Sequence, residues 1–160
     1  MAKEPDNEIL KRSDTHGIAE LTLNRPEARN ALSTALMDRL QTELDRIRDD
    51  KNVHVVVIAA NGPSFCSGHD LRELRAMPTQ KTHKRLFAQC SRLMLSITRL
   101  PQPVIAKIHA TATAAGCQLV ASCDLAVAAD TAEFATPGVN IGLFCSTPMV
   151  AVSRNIGRKK

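Results

Sequence analysis

The sequence predicts an α/β protein. Two observations carry this: short β-branched or alternating segments recur along the chain, and between them lie segments whose apolar residues repeat at helical spacing. A third sets the scale: 160 residues, 44% of them apolar, suffice for one domain with a buried core. Residues 1–16 mix acids and bases without periodicity and are expected to be a flexible N-terminus.

The elements follow in order. "IAELTLNRP" (18–26) alternates apolar and polar residues up to Pro26 and reads as a strand. Ser33 suits an N-cap. Leu36, Met37, Leu40, Leu44 and Ile47 follow at helical spacing, which predicts an amphipathic helix over 34–49. "VHVVVIAA" (53–60), closed by Asn61-Gly62-Pro63, predicts a buried strand and a turn. Leu86, Phe87, Cys90, Leu93, Met94 and Ile97 predict a helix over 80–99, ended by Pro101 and Pro103. "VIAKIHA" (104–110) is a strand, 115–123 a helix, "LAVAAD" (125–130) a strand and 146–156 a last helix. Positively charged Arg158, Lys159 and Lys160 suit a helix C-terminus. Periodicity leaves the strand order open.

Composition removes several function classes. With four Phe and neither Trp nor Tyr, the core is built from aliphatic residues, and the stacking platforms that single-stranded nucleic acid requires are missing. No nucleic-acid partner is expected. The net charge of +5 fits a solvated surface or an anionic ligand. No apolar run approaches the ~20 residues that span a bilayer, so no membrane partner is expected. The N-terminal stretch has no apolar core and is not acid-poor, which points to a cytoplasmic protein, or a mitochondrial one if a transit peptide has been removed. The five cysteines, Cys66, Cys90, Cys117, Cys123 and Cys145, lack C-x-x-C spacing and sit among apolar or small residues. They read as reduced and mostly buried, with neither a disulfide framework nor a metal site.

Two loops place small residues between a strand and a helix. In "FCSGHDLREL" (65–74), Gly68 allows a backbone conformation that other residues avoid, and Asp70 suits the cap of a following helix. In "ATAAGCQL" (112–119) a helix begins, and its first N–H groups have no internal partner. One N–H from each loop would make an oxyanion hole, the device that stabilises a developing enolate. Gly-containing turns are common, and ordinary loop chemistry is the plain alternative.

Four stretches carry a resemblance: "LTLNRPEARNAL" (21–32), "VVVIAANGPSFCSGHDLREL" (55–74), "QPVIAKIHATATAAGCQLVASCDLAVAAD" (102–130) and "AEFATPGVNIGLF" (132–144). Together they resemble the enoyl-CoA hydratase/isomerase, or crotonase, superfamily. The resemblance implies a spiral of ββα units (the ClpP/crotonase fold) forming a single core domain over 1–160, and assembly into trimers or hexamers. It implies an acyl-CoA thioester as substrate or ligand, with no permanently bound cofactor and no metal. The thioester carbonyl would be held by the backbone N–H groups of His69 and Ala115, with Ala115 strained if its position demands positive φ. Ser67, Gly68, His69, Asp70, Leu71 and Arg72, with Ala115 and Gly116, would line the CoA. Ala28 and Arg29, in "PEARNA" (26–31), would lie near its adenine end, and Arg29 and Arg72 are candidate phosphate contacts against the plain alternative of solvated charges.

The chain also departs from the family. The two catalytic glutamates of the hydratases fall at Gln118 and Gly138. An amide cannot act as a base, so standard hydration is expected to be lost or moved elsewhere. Cys145 and Ser146 lie near an isomerase acid position, with Cys145 read as an inert thiol. Asp70 and Glu73 are the nearest acids of the first loop, Asp124 reads as structural, and His69 is the titratable side chain nearest the expected hole. Relatives continue into further helices that cover the acyl pocket, and the region beyond residue 160 is expected to be missing here. Three readings follow: an enzyme acting on an acyl-CoA; a catalytically degenerate acyl-CoA binder or regulator of fatty-acid metabolism; and, far behind, a Clp-type serine peptidase using Ser67 or Ser146, which the lack of a G-x-S-x-G elbow disfavours.

Overall fold

Alternating side chains organise the fold around one face of a sheet. The computed structural model describes residues 9–76 and 78–157. Strand β1 (Leu10–Thr15) turns at His16 and Gly17, both at positive φ (50° and 80°), into β2 (Ile18–Leu23), its antiparallel partner. Such a two-residue turn matches the twist of the flanking strands. Residues 10–15 are therefore not a flexible end. Their polar side chains hide the strand because β1 is an edge, where only Leu10 is fully buried. Strand β2 stops at Leu23, and Pro26–Ala28 form one 3-10 turn instead of extending it.

Helix α1 (Thr34–Arg48) begins where expected: the Ser33 Oγ accepts from the Leu36 N–H at 3.1 Å. Strand β3 (Val55–Ala60) is followed by α2 (Leu71–Ala76), α3 (Gln80–Thr98) and β4 (Val104–Ile108). The two-residue β5 (Ala112–Thr113) leads into α4 (Ala115–Ser122), then β6 (Leu125–Ala128), β7 (Phe134–Ala135) and α5 (Ser146–Asn155). The expected basic helix end at 158–160 lies outside the described residues.

The main sheet has the order β1-β2-β3-β4-β6, parallel from β2 onward, while β5 and β7 pair separately. Leu21 lies beside Ile58, and Ile58 beside Ala106. This register lines Ala19, Leu21, Leu23, Val56, Ile58, Val104, Ala106 and Ile108 into one core, covered by α1 (Leu36, Met37, Leu40, Leu44, Ile47) and α3 (Leu86, Cys90, Leu93, Met94, Ile97). The opposite face is open: Val55 and Val57 are only half-buried, and Lys107 pairs with Glu20 there at 3.4 Å. Strand β3 is thus buried on one face, not two. Beyond α4 the chain is open as well, with Val127 64% and Phe144 65% exposed.

Glu43, on the core side of α1, shows how charge is tolerated in this layer. It is 4% exposed and takes Arg46 at 2.8 Å and Arg12 of β1 at 3.1 Å. Helix and edge strand are tied through one carboxylate, which would be costly to bury alone. A simpler test of local stability is the cap: Ser33→Ala removes the acceptor for the Leu36 N–H and should lower stability by about 1 kcal/mol, read as a drop of about 2–4 °C in the thermal midpoint.

Candidate active site

The first loop lies directly on the second. The N–H groups of Phe65 and Cys66 donate to Thr111 O (3.0 and 3.4 Å), and Thr113 N–H donates to Cys66 O at 2.9 Å. Where α4 starts, the two backbones touch: a β-carbon on Gly116 would collide with the Cys66 carbonyl oxygen and sit 2.8 Å from its carbon. Gly116 is small because Cys66 is there. Two residues on, Gly68 adopts φ +96°, and a β-carbon there would lie 2.9 Å from Ala114 Cβ and 3.3 Å from Ala115 N.

This contact sets the two candidate amides. Leu32 N–H donates to Gly68 O (2.7 Å) and Leu32 O accepts from Asp70 N–H (3.2 Å), so the polar groups flanking His69 face Leu32 while its own N–H points the other way. Ala115 is the first residue of α4, where N–H groups lack helical partners. Among the described residues neither amide N–H has an acceptor. The positive φ that would have strained Ala115 falls one residue earlier. Ala114 holds φ 50° and ψ −121°, while its N–H donates to Ala135 O (2.9 Å) and its carbonyl accepts from Gln118 N–H (3.1 Å). Both ends of Ala114 are clamped, so the helix starts with a forced turn that aims the Ala115 N–H out of the ladder.

The His69 ring packs edge-on against Phe87 of α3, centroids 5.3 Å apart, and its Nδ1 is buried without a partner. Burial lowers its pKa to about 4, so the ring is neutral at pH 7. It is a poor base there, and its neutral ring lacks the acidic proton of an imidazolium.

Gln118 is 6% exposed, and its Oε1 accepts from the Thr147 hydroxyl of α5 at 2.9 Å. Gly138 is buried in the 3-10 turn Pro137–Ile141, where an added β-carbon would collide with Leu143 O and lie 2.6 Å from Cys145 Sγ. Position 138 therefore holds no side chain unless residues 143–145 shift. Cys145 sits beside it. Burial, with a smaller contribution from nearby Cys145, raises the Cys117 thiol pKa. Burial pushes Cys66 and Cys123 up to about 12 and Cys90 to about 11, and all five thiols are free.

The acids of the first loop are committed to structure. Asp70, 8% exposed, caps α2 through Arg72 N–H (3.0 Å) and pairs with Arg25 at 3.1 Å. Glu73 accepts from both the N–H and the hydroxyl of Thr34 (2.8 Å each), at the start of α1. Asp124 accepts from Val104 N–H at 2.8 Å. Ala28 and Arg29 join the loop through Arg29 O, which accepts from Ser67 N–H at 3.1 Å, with Arg29 at φ 51°. The side chains of Arg29, Leu71 and Arg72 are exposed. Neither Ser67 nor Ser146 hydrogen-bonds to a histidine among the described residues, which leaves the peptidase reading without its dyad. Sequence reasoning missed Arg25, Asn30 and Thr147. Arg25 precedes the quoted "PEARNA" and Asn30 lies within it, where, fully buried, it ties Asn61 O and Ser64 O to Arg25 N–H. Nothing in spacing announces Thr147, 29 residues from its partner.

Residues 13–160 match the enoyl-CoA hydratase/isomerase family. A crystal structure of enoyl-CoA hydratase from Mycobacterium smegmatis matches with a TM-score of 0.93 at 55% identity, covering 96% of this chain and 60% of that one. The structure of human enoyl-coenzyme A hydratase domain-containing protein 3 matches at 0.90 and 48% identity, over 94% of this chain and 60% of that one. The architecture is thus the crotonase fold. By sequence, the Xenopus laevis protein named enoyl-CoA hydratase domain-containing protein 3, mitochondrial, is 52% identical over 144 residues, 90% of this chain and 49% of that protein. The chain belongs to the enoyl-CoA hydratase/isomerase family and resembles its domain-containing protein 3 subgroup, spanning about half the length of the curated relatives it matches.

Two measurements check the local physics. Ala114→Gly relieves a left-handed residue and should stabilise the chain by about 1 kcal/mol, part of the 1–3 that such strain stores; a lower unfolding midpoint would contradict the strain. His69 has its folded pKa depressed from 6.5 to about 4. The unfolded chain therefore takes up a proton first as pH falls, and stability declines between those values by about 3 kcal/mol. Urea titrations across that range should show this decline reduced in His69→Leu by that amount.

Proposed function

We propose that this chain binds an acyl-CoA thioester and does not hydrate it by a two-carboxylate mechanism. The observation that carries this reading is the pair of partnerless amides, His69 N–H and Ala115 N–H, on two backbones that meet at Gly68. In the proposed complex both donate to the thioester carbonyl oxygen. Gly68 and Gly116 let the segments approach, and Ser67 to Arg72 line the CoA with Ala28 and Arg29 at its adenine end. Gln118 and Gly138 occupy the positions of the family glutamates. Gln118 orients a ligand or water by hydrogen bonding without exchanging a proton. The reading includes a role in fatty-acid metabolism, trimeric or hexameric assembly on the strength of the resemblance, and mitochondrial residence on the strength of the relatives' names. Those names give the cytoplasmic expectation no support.

Calorimetric titration with crotonyl-CoA and acetyl-CoA tests the reading, with enoyl absorbance followed in parallel. Heat without loss of absorbance is expected. Loss of absorbance would overturn the catalytic half, and no heat with either thioester would overturn the binding half. The amides are probed by ligand, since the one substitution that removes an N–H, proline, also fixes the local backbone. S-ethyl-CoA lacks the carbonyl oxygen and should bind roughly tenfold more weakly than acetyl-CoA, the worth of about one to two hydrogen bonds. Gln118→Glu alone should keep acetyl-CoA binding, because Thr147 can donate to a carboxylate as it does to the amide.

A further inference from the structure

Helix α3 carries a second surface on the side away from the core. Its 19 residues include no acid. Lys81, Lys84, Arg85, Arg92 and Leu95, with Arg99 at the C-cap, recur at helical spacing and are all exposed. They form one row about 27 Å long. Among the described residues none of these five cations is in an ion pair or a side-chain hydrogen bond. The arginines of neighbouring α1 behave oppositely: Arg39 and Arg46 pair with Glu43, and Arg48 with Asp45. The acids nearest the row on α1 are engaged too, Asp38 by Gln89 and Asp45 by Gln41 and Arg48. Arg48, Arg92 and Arg99 line a shared shallow groove with Leu95, which is 47% exposed between Arg92 and Arg99.

We propose that this face of α3 docks on an anionic lipid bilayer. A row of cations without acids is complementary to a sheet of phosphates, and each cation near such a surface adds to the attraction. Exposed Leu95 among arginines fits the boundary between headgroups and acyl chains. The absence of Trp and Tyr removes the base-stacking groups that single-stranded nucleic acid uses. The expectation that no membrane is a partner rested on the lack of a spanning segment. No described helix is long and apolar enough to cross, and docking needs no crossing.

Flotation of the full chain with phosphatidylcholine vesicles, with and without phosphatidylglycerol, tests the surface. Binding is expected only with phosphatidylglycerol, and it should weaken as salt rises. Arg85→Gln and Arg92→Gln should each weaken it roughly fivefold, and Leu95→Ser should reduce the part that resists salt. Circular dichroism and the thermal midpoint show whether these exposed substitutions leave the fold intact. Lys11→Gln, on β1, serves as the charge control. No binding to phosphatidylglycerol vesicles would overturn the proposal. So would a Lys11→Gln effect equal to that of Arg92→Gln, which would mean attraction by net charge alone. Tighter binding to a DNA or RNA duplex, lost in the same α3 variants, would assign the face to nucleic acid instead.

Discussion

The approach of the Cys66 backbone to the start of α4 is the constraint on which the rest of the site depends. Two chain segments can come this close only if one has no side chain at the crossing, and Gly116 meets that condition. Their polar groups do not go unpaired, because the 65–66 segment runs alongside Thr111–Thr113 and exchanges hydrogen bonds with it. Ladder bonds are used up to Cys66 and Thr113. Past that point the exchange of backbone hydrogen bonds between the two segments ends, and the amides of His69 and Ala115 emerge from the end of the ladder with nothing to bind. The open donors are a by-product of how the pairing stops.

Holding those donors still is the task of the surrounding charges. Asp70 joins α2 to Arg25, and Glu73 joins α2 to the first turn of α1. The carboxylates in the first loop thus serve as struts. In the same way Thr147 of α5 holds Gln118 of α4, so the Gln118 amide is fixed by a contact between helices far apart in sequence. A short helix such as α2, with no fully buried side chain, would be marginal without its two acidic anchors.

What could be read from sequence follows from the range of the forces involved. Helices α1 and α3 and strands β2 to β4 bury a regular side of themselves, and periodicity reveals that directly. Strand β1 was hidden because an edge strand with polar side chains has no apolar alternation, and β5 and β7 because two residues make no period. Of the candidate site, the two loops and Gly68 were legible through their small residues. Positive φ, which at Ala115 was only a condition for strain, lies at Ala114, whose N–H is held by the Ala135 carbonyl, supplied from another strand. Thr147, and the crowding of Gly138 by Leu143 and Cys145, are tertiary facts with no local signature.

Gly138 also bears on how the site can be re-engineered. A side chain at this position meets a backbone oxygen, and backbone cannot rotate away as a side chain can. A side chain placed there therefore requires the 143–145 segment to move as well. Position 138 couples two stretches of chain: anyone who redesigns one has to repack the other in the same step.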